Sequence, residues 1–177
     1  YNTSYGGNNR APWDGYAYQI KKVVLGSGVQ NIGNDAFARC YCMPDITIPD
    51  GVTSIGDNAF RGCSALAKVS IPSTVSSIGS GAFSYWGALR EVEIPQGITS
   101  IQSDTFRYCT QLTKITIPTS VTSIGGGAFS GCALREVEIP QGITSIQYGT
   151  FQNCTQLTKI TIPDSVTSVD MYAFDNC

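Results

Sequence analysis

One phrase, I-P-x-x-V-T-S-I-G-x-x-A-F-x-x-C, recurs with small variations along almost the whole chain and leaves little freedom in how it folds. Registered on its phenylalanine, it falls at Phe37, Phe60, Phe83, Phe106, Phe129, Phe151 and Phe174, at intervals of 23, 23, 23, 23, 22 and 23 residues. A fixed period of this length marks a solenoid, in which each unit buries its apolar face only against its neighbours. The other apolar positions keep step. Leu66, Leu89, Leu112, Leu134 and Leu157 open a unit, and Ile48, Ile71, Ile94, Ile117, Ile139 and Ile162 each precede a proline. In the first unit Ile20, Val23 and Leu25 hold the same positions, which gives about seven turns, the last one incomplete. Residues 20–177 are therefore assigned to the solenoid, and residues 1–19, outside the register, to an N-terminal cap segment. With strands about 4.8 Å apart, the stack is expected to be roughly 35 Å long, with one continuous parallel sheet along one side.

The unit from Leu112 to Phe129 shows how local chemistry repeats. Ile115 and Ile117 alternate with Lys114 and Thr116, the period of two that marks a strand with one face in the core and one in water. Pro118 closes that strand, because it has no N–H to give a ladder and holds Ile117 extended. Val121 and Ile124 predict a second short strand, and Gly125 to Gly127 a turn. Ala128, Phe129 and Cys132 then have the spacing of one helical or 3-10 turn facing inward. The fold class is thus α/β: parallel strands on a concave face, and short strands with helical or 3-10 turns on the other side.

The phrase, with its strand pattern L-x-x-I-x-I-P, resembles the BspA-like leucine-rich repeats of bacterial and protist surface proteins, over about residues 11–177. Ala11-Pro12-Trp13 followed by Ile20-Lys21-Lys22-Val23-Val24 resembles the entry to the first repeat of secreted bacterial members. The resemblance implies a secreted or surface-attached module that mediates adhesion by binding protein of the host matrix or of another cell. It carries over no catalytic residues. The shared motif consists of core positions, so it transfers a fold and not a site.

A longer repeat bears on the site. Residues 88–132 and 133–177 align without gaps at an offset of 45 and are identical at 34 positions. On the strand face this places Arg90, Glu91 and Glu93, then Lys114, then Arg135, Glu136 and Glu138, then Lys159. Read across the strands, Lys68, Glu91, Lys114, Glu136 and Lys159 alternate in sign. Cross-strand pairing at roughly 0.2–1 kcal/mol per pair is sufficient to explain this stripe. The same nine residues also make a ligand face offering donors and carboxylates to a polar partner. A carbohydrate-binding module would instead use exposed aromatics such as Tyr85, Tyr108, Tyr148 and Tyr172, and a spacer would bind nothing.

Catalysis is disfavoured by the absence of histidine, which removes the commonest general base and the Ser-His-Asp and Cys-His arrangements. Glu91 with Glu93 and Glu136 with Glu138 are the only close carboxylate pairs, each on an open strand face. Cys40, Cys63, Cys109, Cys132, Cys154 and Cys177 share one repeat position and are expected as an inward column of thiols, with Cys42 outside it. Without a C-x-x-C pair or histidine they do not form a usual zinc set. Neither metal nor cofactor is expected.

Trp86 stands where its turn would carry the cysteine, either as a larger core filler or as a ligand contact. The loop from Phe129 to Leu134 is one residue short, which is expected to tighten the convex side. Trp13, Tyr16 and Tyr18 are read as part of a cap or as a sugar-stacking patch. A net charge of −2 without a basic cluster argues against nucleic acid, and no apolar run is long enough for membrane insertion. The final turn ends at Cys177 without a polar cap, so it is expected to fray or to associate end to end with a second copy.

Overall fold

The computed structural model describes residues 11–177. It is a parallel solenoid of short elements. A 3-10 helix, Asp14–Gln19, precedes β1 (Asn31–Ile32), β2 (Ser54–Ile55) and β3 (Ser77–Ile78). From there two strands alternate in each turn: β4 (Glu91–Glu93) and β5 (Ser100–Ile101), β6 (Lys114–Thr116) and β7 (Ser123–Ile124), β8 (Glu136–Glu138) and β9 (Ser145–Ile146), β10 (Lys159–Thr161) and β11 (Ser168–Val169). The alternating pattern is the cause. In β4 and β8 the central valine is buried between two exposed glutamates.

Between the end of β7 and Cys132 the chain forms overlapping turns and no helix. N–H groups of Ala128, Ser130 and Cys132 bond carbonyls three residues back, while Gly127 and Gly131 take the left-handed conformation. That alternation prevents a regular 3-10 helix, so the expected 3-10 turn takes the form of separate turns, each closed by a bond three residues back. The seven turns repeat this pair of left-handed positions, occupied by residues such as Asp35 and Arg39 or Asp104 and Tyr108.

This turn side is continuous. At each of six junctions, three backbone N–H groups of one turn donate to carbonyls of the next, as in Asp104 to Gly126, Phe106 to Ala128 and Tyr108 to Ser130, at 2.6–3.1 Å throughout. Beneath this ladder the phenylalanine rings stack from Phe37 to Phe174, with centroids 5.4–5.9 Å apart and planes within 17° of parallel. Trp13 extends the stack by lying 5.8 Å from Phe37. Its indole N–H also donates to the Ala36 carbonyl at 2.8 Å, the acceptor equivalent to the one that takes a phenylalanine N–H in later turns. One side chain thus supplies both the ring and the donor of a preceding turn.

The column cysteines are buried from Cys40 to Cys154. Cys63, Cys109, Cys132, Cys154 and Cys177 each donate to a phenylalanine carbonyl of the preceding turn at 3.1–3.2 Å. Trp86 does the same through its indole N–H, to the Phe60 carbonyl at 2.6 Å. It is fully buried, edge-on to Phe60 and Phe83, so it is a core residue and not a ligand contact. Burial pushes the Cys154 thiol up to about 12 and raises Cys132 as well.

The strand side departs from the expected continuous sheet. Ladders join β4 to β6 and β8 to β10, and in the second column β1, β2 and β3, then β5 to β7, then β9 to β11. No ladder joins β3 to β5, β6 to β8 or β7 to β9 among the described residues. The interruptions follow two irregular links. Elsewhere the leucine or methionine opening a turn donates its N–H to the column cysteine three residues back, as Leu112 does to Cys109. This bond is not made at Leu89, after Trp86, nor at Leu134, where one residue is missing. Leu89 leads into β4 and Leu134 into β8, the strands that begin each ladder pair. The short link therefore acts on the strand side, while the convex ladder passes it without a break.

Candidate functional site

The strand face owes its chemistry to the period of two: as the valine or isoleucine of each strand packs inward, its flanking residues must point to solvent. Lys68, Arg90, Glu91, Glu93, Lys114, Arg135, Glu136, Glu138 and Lys159 are all exposed. The structure gathers them into two hollows. Lys68, Arg90, Glu91 and Glu93 line one of about 780 Å³, and Lys114, Arg135, Glu136, Glu138 and Lys159 line another of about 800 Å³. Arg90, Glu91 and Glu93 correspond to Arg135, Glu136 and Glu138 at the offset of 45, so the hollows are two versions of one site.

Self-pairing of the charge stripe is only partial. Glu91 lies opposite Lys114, and Glu136 opposite Lys159, in the parallel ladders. Lys114 Nζ reaches Glu91 Oε1 at 3.1 Å. Glu136 and Lys159 form no ion pair within 4.0 Å among the described residues, although their register is the same. Lys68 precedes the first strand of this column and belongs to no ladder. Each hollow therefore keeps charged groups of both signs available to a polar partner. Its carboxylates lie on an open face, where nothing encloses a bound substrate.

The aromatic residues fall into two pairs on the turn side. Tyr85 and Tyr108 have centroids 5.3 Å apart, and Tyr148 meets Tyr172 edge-on at 5.5 Å. Arg61 lies over the Tyr85 ring and Arg107 over the Tyr108 ring, each at 5.2 Å. Faces that a sugar would stack on are thus already covered by protein at Tyr85 and Tyr108. The sequence reading missed these arginines. Their signal was their place two residues after alanine or threonine and next to the left-handed position, where a side chain projects from the turn.

The family model for the BspA type leucine-rich repeat region matches residues 16–134 and 76–177 in six copies. The chain belongs to that family. Among solved structures, this BspA-type chain is similar to the T. pallidum leucine-rich repeat protein, with 30% identity, a TM-score of 0.78, and coverage of 83% of this chain and 72% of that one. A leucine-rich cell surface protein from Faecalibacterium prausnitzii is 31% identical, with a TM-score of 0.57 over 86% of this chain and 50% of its own. A leucine-rich repeat protein from Eubacterium ventriosum is 26% identical, with a TM-score of 0.71 over 98% of this chain and 56% of its own. The chain thus spans about half the length of the last two. It matches no curated protein. A leucine-rich repeat solenoid of this family is consistent with a protein-binding repeat module, and no helix among the described residues is long and apolar enough to cross a membrane.

Proposed function

We propose that this chain is a non-catalytic adhesion module, extracellular or held at a cell surface, that binds protein through its strand face. The supporting observation is the pair of equivalent hollows, each carrying an arginine and two glutamates at matched positions. Two similar sites on one rigid face let a partner with repeated charges engage both, which raises overall affinity without tight binding at either. Because the side chains are exposed, the attraction is salt-sensitive and governs encounter more than residence. The surface placement is supported by the printed description of the F. prausnitzii relative as a cell surface protein. Residues 1–19 act in this reading as a cap, supported by Trp13, with residues 1–10 lying outside the described part.

The test is retention of labelled protein on immobilised matrix proteins, beside a variant with Glu91, Glu93, Glu136 and Glu138 changed to lysine and shown to fold. Retention that falls with added salt and is abolished in the variant is expected. Equal retention of both forms defeats the strand-face reading, and retention of neither favours a spacer.

A further inference from the structure

A second groove, of about 580 Å³, runs along the turn side and shares no lining residue with the charged hollows. It crosses four successive turns and brings together residues from Asn34 and Asp35 to Asp104 and Arg107. We propose that this groove binds a neutral oligosaccharide, independently of the strand face. Sugar hydroxyls both give and accept hydrogen bonds, and the groove alternates the two functions.

Its acceptors are Asp35, Asp57 and Asp104, and its main donors Arg61 and Arg107. Only part of this capacity is used internally. Asp57 accepts the Ser80 N–H through one oxygen, Oδ1, at 2.8 Å. Arg107 donates through Nη1 to Asp104 at 3.2 Å, while its Nε is buried without a hydrogen-bond partner among the described residues. Three carboxylates against two guanidinium groups disfavour an anionic polymer, and Tyr85 is the one large apolar side chain in the lining, which leaves little to fix a peptide side chain. Tyr85, tilted against Tyr108 by 35°, covered by Arg61 and 42% exposed, lines the groove. This corrects the simple picture of a sugar lying flat on Tyr85 or Tyr108: recognition falls to the polar groups beside them.

The internal duplication supports a local function. Of the eleven differences between residues 88–132 and 133–177, nine fall within 103–108 and 125–131, on the turn side, one is Ile124 against Val169 in the second strand column, and none is on β4, β6, β8 or β10. Asp104, Arg107 and Tyr108 become Gly149, Gln152 and Asn153. There the side chains close on one another, Gln152 donating to Asp175 at 3.0 Å and Asn176 to Asn153 at 3.0 Å. The same backbone therefore accepts either set, and the charged set is not demanded by the fold.

This gives a variant expected to fold. Asp104→Gly with Arg107→Gln and Tyr108→Asn installs residues that the second copy carries at those positions. Titration calorimetry with neutral hexasaccharides, β-1,4-glucan, α-1,4-glucan, β-1,4-mannan and β-1,4-xylan, is the measurement, with heparin as the anionic comparison. At least one neutral probe is expected to bind, the triple variant to weaken it by tenfold or more, and the four-lysine strand-face variant to leave it unchanged. Asp57→Asn, which keeps the acceptor for Ser80, is expected to weaken binding without altering unfolding. No binding by any neutral probe, binding of heparin alone, or equal binding by wild type and the triple variant overturns the proposal. Loss of glycan binding in the strand-face variant alone also overturns it.

Discussion

The turn side and the strand side of this solenoid are built from the same period, yet only the turn side is continuous. Along the turns, three backbone bonds per junction and an unbroken ring stack run from the first repeat to the last. Along the strands, hydrogen-bonded ladders stop after Trp86 and again where a residue is missing before Leu134. The difference teaches which side is the spine. The turn side tolerates both altered links because they lie after its paired residues, so its three bonds and its ring keep their spacing, whereas the strands that follow the links lose the register a ladder needs. The strand side is then free to present grouped charges.

The largest expected effect comes from breaking the spine. Phe106→Ala removes a fully buried ring that stacks on both Phe83 and Phe129. It is expected to cost about 3–5 kcal/mol, the usual range for such a cavity, in urea unfolding followed by circular dichroism. A loss no greater than that of a surface substitution means the stack is not the spine.

The cysteine column sharpens the same comparison through pH. Burial, with a smaller effect from Cys177, raises Cys154 from 9.0 to about 12 in the folded chain. A thiol whose folded value is raised adds stability that is fully present below about 9 and lost as pH climbs towards 12. Unfolding free energy is therefore expected to fall by a few kcal/mol across that interval, with a shallower slope in Cys154→Ala. Identical slopes place the alkaline sensitivity elsewhere.

Trp86→Phe is expected to have a smaller effect. It keeps an aromatic ring against Phe60 and Phe83 but removes the N–H that reaches the Phe60 carbonyl at 2.6 Å. About 1–3 kcal/mol is expected from the lost buried bond, measured by the same denaturation. No change means the carbonyl is satisfied by its other partner, the Cys63 N–H at 3.2 Å.

Much of this architecture was legible because a repeated residue samples the same environment in every turn. Phe, Ile-Pro and Cys spacings revealed the solenoid, the strand exits and the inward thiols, and the 45-residue offset brought eight charged residues to one face, with Lys68 joined to them by the 23-residue period. The ladder interruptions were not legible, although both irregular links were visible, because pairing depends on where strands lie in space. Trp13 escaped a full reading for a related reason: it lies 24 residues before Phe37, one off the period, and replaces both a ring and a backbone donor. The turn-side groove was missed because its arginines and carboxylates are scattered over three of its four turns with no motif in any one of them.

The smallest predicted effect tests whether the strand face is structural. Lys114 and Glu91 form an ion pair at 3.1 Å, but their side chains are 69% and 65% exposed, so water screens the pair and little order is gained. Lys114→Ala is expected to change unfolding free energy by less than about 1 kcal/mol and to be insensitive to the pairing of β4 with β6. The second copy provides an internal control, because Glu136 and Lys159 share the register without forming the pair among the described residues. Lys159→Ala is then expected to be milder still. If either alanine variant destabilised the chain as much as Trp86→Phe, the charge stripe would be a structural ladder, and its role as a face for partners would lose its support. Near-silent variants leave the charges on the strand side free for encounter with a partner, while stability resides in the rings and bonds of the turns.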